Sequence, residues 1–136
     1  MPWTAAASAW TVVRQGTPRA TAAVRTWLAH TPSWLVVEQV DEPADPQLAR
    51  LDPGERQAIQ LAKRAHADLL LMDERLGVRI ARAQGLAVTG TLGTLLQAAR
   101  RSLVDIDRAL TDLKATDFRC SDRVIEEVRR QAKAST

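Results

Sequence analysis

The sequence predicts an α/β protein built on a small parallel sheet. Residues 34–101 alternate short apolar runs with longer stretches of helical spacing, in the order strand, helix, strand, helix, strand, helix. The run Leu69–Met72 is apolar without alternation, the pattern of a strand covered on both faces. Helix starts and stops punctuate the same region: Asp52-Pro53-Gly54-Glu55 opens one helix, and Gly85 closes the next. Strands joined by helices in this way lie parallel, with right-handed crossovers.

The elements follow in order. Residues 4–15 are Ala-rich and read as a helix stopped by Gly16. Thr17 and Pro18 cap a second helix, whose apolar positions Ala20, Val24, Trp27 and Leu28 share a face. Pro32 ends it. "WLVVEQV", 34–40, is β-branched and reads as a strand. "DEPADPQLAR", 41–50, holds two prolines and reads as a mobile loop. Asp52 caps a helix to about His66, with Ala58, Ile59, Ala62 and Ala65 inward. Leu69–Met72 is the next strand, "ERLGVRIARAQG" the next helix, and "LAV", 86–88, a short strand. "TGTLGTLLQAARR" begins a further helix. Asp105 and Ser121 serve as N-caps for helices near 106–115 and 122–133.

Composition narrows the function classes. The 136 residues suit one domain, with 46% hydrophobic and 26% charged content. No apolar run approaches about 18 residues, so no membrane span is expected. The start lacks the basic-then-apolar order of a signal peptide. The single Cys120 forms no internal disulfide and reads as a small core residue. A reducing cytoplasm is the expectation. A net charge of +3 and a pI of about 9.7 permit nucleic-acid binding without demanding it. Trp3, Trp10, Trp27 and Trp34 all fall in the first quarter and read as core or contact residues rather than a base-stacking platform.

The acids of 51–77 support two readings. In an open parallel sheet, ligands bind beyond the carboxyl ends of the strands, where Asp73 follows Leu69–Met72. A simple crossover brings Glu55, on the first turn of the preceding helix, to the same edge. Paired carboxylates suit Mg²⁺ or Mn²⁺, which prefer oxygen ligands. The other reading is structural: Glu55 closes a capping box and Asp73 N-caps the helix starting near Glu74. Arg75, Arg79 and Arg82 could face a phosphate backbone or form a solvated face. Residues 90–94, "GTLGT" with Thr91, offer N–H groups at a helix start, with capping by Thr89 or Thr91 as the alternative. His30 and His66 stand near helix ends and read as structural.

"LDPGERQAIQLA", then "ADLLLMDERLGVRIARAQGLAVTGTLGTLL", resembles the PIN-domain superfamily over residues 50–104. The closer likeness is to its predicted nucleic-acid-binding branch, related to the ribonuclease toxins of type II toxin–antitoxin pairs. "ATDFRCSDRVIEEV" resembles the family's C-terminal end. The resemblance implies a three-layer α/β/α sandwich with a helical C-terminal tail. It implies RNA hydrolysis with one or two Mg²⁺ or Mn²⁺ ions. Glu55 and Asp73 match family acids that hold the metal, and Glu74 fills the neighbouring acidic position. Arg75, Arg79 and Thr91 would contact nucleic acid. RNA and an antitoxin-like protein are the partners implied.

The chain also departs from that pattern. The family opens with a strand of the type valine-valine-Asp-Thr-Ser-Pro-Leu, whereas "MPWTAAASAWTVVRQG" is similar to a later segment. Where the family commonly carries a Glu, this chain has Trp10-Thr11-Val12-Val13. The expectation is therefore an N-terminally truncated PIN-like domain with two family acids absent. Its sheet edge beside Leu69–Met72 would be exposed, inviting a homodimer. Two functions follow: a metal-dependent toxin-type ribonuclease, or a catalytically silent module that binds nucleic acid or an antitoxin. A receiver-like acidic pocket needs an acidic pair after its first strand and a later Lys at a strand end, and neither is present.

Overall fold

A computed structural model describes residues 3–5, 18–30, 33–38, 40–41 and 44–134. They form an α/β arrangement with six helices and a small parallel pair of strands among the described residues. The chain divides into two compact units, Met1–Val88 and Thr89–Thr136.

In the first unit β1 (Trp3–Ala5) pairs in parallel with β2 (Leu35–Val37), Trp3 opposite Leu35 and Ala5 opposite Val37. Thr4 and Ala5 were expected to open a helix. The ladder with β2 instead satisfies their backbone groups, a tertiary override of Ala-rich propensity. The rest of that expected helix, and Thr17 as a cap, lie outside the described residues. α1 (Pro18–Ala29) starts on its proline, whose fixed φ suits a first helical position. Trp27 and Trp34 meet with ring centroids 5.9 Å apart, and both stay about half exposed, so this pair is contact rather than core.

The expected loop after β2 contains order. Asp45 accepts from the Gln47 N–H at 2.9 Å and caps a 3₁₀ turn, Pro46–Leu48, which delivers Leu48 into the core. α2 (Pro53–Arg64) begins after Asp52, and Glu55 reaches back to the Asp52 N–H at 3.2 Å. It buries Ala58, Ile59, Leu61 and Ala62. The helix closes through His66, at φ 48°, with the Ala67 N–H donating to the Ala62 carbonyl. A left-handed residue with this bond satisfies helix-end carbonyls.

β3 (Leu70–Leu71) is shorter than expected and is covered on one side only. Leu70 is 6% exposed, whereas Leu69 and Leu71 are 43% and 42% exposed. Alternation along an extended strand sends neighbours to opposite faces, and only one face here meets the core. Leu70 N–H donates to the Ala87 carbonyl beside β4 (Val88–Thr89), the hydrogen-bonded neighbour of β3. α3 (Arg75–Ala83) lies between them and ends at Gly85, φ 84°, a left-handed position that glycine occupies without Cβ strain. Leu48, Leu51, Ala58, Ile59, Ala62, Leu70 and Ala81 form this unit's core.

The second unit is helical: α4 (Thr91–Arg100), α5 (Ile106–Lys114) and α6 (Asp122–Lys133). Both expected caps form. Asp105 accepts from the Arg108 N–H at 2.8 Å, and Ser121 from the Val124 N–H at 3.4 Å. Ile106, Leu110, Ile125, Val128 and Ala132 make its core, with Cys120 packed against it. Among the described residues no helix is long and apolar enough to cross a membrane.

Candidate functional site

The expected site residues lie around the N-terminal ends of α2 and α3 in the first unit, with Thr91 alone in the second. α3 starts after three residues, Met72, Asp73 and Glu74, that carry the chain out of β3. The helix cap there is Glu74, not Asp73: its Oε2 accepts from the Leu76 N–H at 2.5 Å and the Gly77 N–H at 3.4 Å. The longer side chain, one residue later, folds back onto the free N–H groups of the turn. That oxygen is thereby committed to the backbone.

Asp73 is exposed and lines an open cleft of about 440 Å³ with Arg75, Val78, Arg79 and Arg82. The arginine spacing places them on one face, because residues three and four apart are neighbours on a helix. The row runs about 10 Å along the axis at 1.5 Å per residue. Arg82 is also held at 3.5 Å from the Val88 carbonyl. The cleft thus joins the expected contacts Arg75 and Arg79 to Asp73, and sets three guanidiniums against one carboxylate.

Glu55 does not line this cleft. It is half-buried on the first turn of α2, and α3 approaches it through Gly77. A Cβ on Gly77 would lie 3.6 Å from Glu55 Cδ and 2.5 Å from Met72 Sδ, so only glycine admits this approach without a shift. Burial pushes the Glu55 carboxyl above its ordinary value. The Asp52 N–H opposes that push, and the negative charges of Asp52 and Glu74 add to it. Gly77 is the residue that sequence reasoning missed. Its signal was present: a glycine inside a helical pattern often marks a close approach.

Thr91 is the first residue of α4, half-buried, with Gly90 at the cap position. The N-cap position is Gly90, which has no side chain to cap with. Thr89 instead lies over Gly93, where a Cβ would come within 2.1 Å of its Oγ1.

The donor set can be compared with the needs of a divalent ion. Mg²⁺ requires near-octahedral oxygen coordination and gives up water reluctantly. Among the described residues no three or more His, Cys, Asp or Glu side chains gather in a metal-binding group. Glu74 holds the α3 backbone, and Glu55 accepts the Asp52 N–H. The described residues therefore do not by themselves fit such an ion.

Glu55 thus stands at one helix start, Asp73 beyond a strand, and basic residues along the next helix. A family model described as a PIN domain matches residues 11–134, and the chain belongs to that family. No curated protein and no solved structure gives a match.

Proposed function

We propose that this chain is a PIN domain that binds RNA through the α3 cleft. The observation that carries the reading is the row Arg75, Arg79 and Arg82 on one wall of an open cleft. Guanidiniums recognise phosphate oxygens through paired N–H donors, and a row of them follows a phosphate chain rather than a single anion. The test is anisotropy of a labelled single-stranded RNA with the full chain and with Arg75→Ala/Arg79→Ala/Arg82→Ala. Alanine is a strong helix former, so α3 should persist in the variant. Loss of binding by at least tenfold supports the reading, and unchanged binding refutes it.

A second reading, toxin-type RNA hydrolysis with Mg²⁺ or Mn²⁺ held by Glu55 and Asp73, draws on the family and on one observation. Negative charge is crowded at Glu55, and a cation relieves such crowding. This reading needs oxygen donors beyond those that the described residues gather. Incubating labelled RNA with the protein and Mn²⁺ tests it. Cleavage that Asp73→Asn abolishes supports it, and cleavage unaffected by that substitution counts against it.

A further inference from the structure

We infer that Trp27 and Trp34 form a second RNA contact, on which bases of the bound strand stack. The inference rests on the RNA-binding reading above and goes beyond it, because the α3 arginines hold phosphates and leave the bases unassigned. Four tryptophans scattered over the first quarter of the chain did not compose a platform in sequence. The structure brings two of them together at the surface. Trp27 lies in the last turn of α1 and Trp34 just before β2, with 45% and 46% of their surface exposed. Their ring centroids are 5.9 Å apart and their planes are inclined by 50°. Neither ring lies flat against the other, so neither π-face is closed by a parallel partner. Val36 extends the patch: Leu35 turns inward, while Trp34 and Val36 stay exposed at alternate positions.

Charge selects the occupant. Residues 1–37 contain no Asp or Glu but carry Arg14, Arg19 and Arg25, of which Arg25 is exposed on α1. The first acid, Glu38, is engaged with Arg64 at 2.5 Å. A partner that complements this segment is anionic. A second copy in a two-fold contact would set the same acid-free segment against itself. A lipid surface calls for a broad row of large apolar side chains, whereas α1 exposes Ala22, Ala23, Arg25 and Thr26 alongside Trp27. A single-stranded nucleic acid meets both requirements, with a negative backbone and flat bases that stack on indoles whatever their sequence. Reach allows one strand to use both contacts. Fifteen stacked nucleotides extend about 50 Å at about 3.4 Å each, close to half the girth of a unit about 30 Å across.

The test compares affinity of the full chain for labelled fifteen-nucleotide oligo(U) and for an abasic ribose-phosphate oligomer of the same length, at one low salt concentration with EDTA. Base stacking on the indoles predicts roughly tenfold or tighter binding of oligo(U) than of the abasic strand. Trp27→Leu/Trp34→Leu should weaken oligo(U) to the abasic level and leave the abasic affinity unchanged, so that the cleft itself reports an intact fold. Trp27→Phe/Trp34→Phe keeps two aromatic faces and should retain most of the preference. Arg75→Ala/Arg79→Ala/Arg82→Ala should weaken both oligomers alike. Equal affinities in the parent overturn the inference while leaving RNA binding intact. So does a preference that survives the leucine pair, or an equal loss of both oligomers in that variant. A parent that sediments as a dimer where the leucine variant is a monomer would assign the patch to a second copy. Binding to phosphatidylglycerol vesicles that the leucine pair abolishes would assign it to lipid, and either result overturns the inference. Failure to bind either oligomer removes the RNA-binding reading and this inference together.

Discussion

Glu74 and Asp73 are adjacent acids with different surroundings. Glu74 satisfies the first-turn N–H groups of α3, so Glu74→Ala should destabilise the protein by about 1 kcal/mol, while Glu74→Ser should recover most of that. Thermal melts of the two variants check this. Glu55 has a distinct signature with pH. Its folded-state carboxyl titrates above the ordinary value of 4.5, so the protonated form is favoured by folding. The associated stability is fully present below that ordinary value and is lost as pH rises through the raised one. Glu55→Gln keeps an acceptor for the Asp52 N–H and removes the charge. It should match the parent in acid and exceed it slightly at neutral pH, as read by urea melts at several pH values. Gly77→Ala should cost less than about 1 kcal/mol, because its Cβ would displace only the flexible Met72 thioether and alanine favours the helix. The sequence displayed every one of these residues, and spacing correctly put caps at Asp105 and Ser121. It could not separate Glu74 from Asp73, because either acid can cap a turn, and side-chain reach decides which one does.

The elements divide by how local their signals are. α2, α3, α5 and α6 were legible because caps and apolar spacing lie within each segment. His66 closes α2 in a left-handed conformation that non-glycine residues adopt rarely, so its role was not visible in sequence. The strands were less legible. β1 exists through pairing with β2 some thirty residues away, and Ala-rich composition argued for helix. β3 was expected to be buried on both faces, whereas only Leu70 is. Consequently Leu70→Ala should cost about 2–5 kcal/mol and Leu71→Ala much less, a contrast that chemical denaturation measures directly. A comparable cost at both positions would restore the two-sided strand.

Each of the two compact units has its own hydrophobic cluster, and the family match runs across both, from residue 11 to 134. The basic charge of the whole chain only permitted a nucleic-acid partner. The arginines of α3 give that charge a location. The resemblance carried by residues 50–104 pointed to the PIN family, and the family model bears it out. Whether arginines at 75, 79 and 82 line a cleft was not decidable from spacing, since the same periodicity describes a solvated face. The central claim is that these arginines neutralise RNA phosphates. Its most direct test is the salt dependence of oligo(U) binding. For two or three phosphate contacts on a single strand, the logarithm of affinity should fall against the logarithm of salt with a slope of about −1.4 to −2.1. Arg79→Ala should reduce that slope by about 0.7. A slope unchanged by Arg79→Ala, or no binding at low salt, would contradict the account.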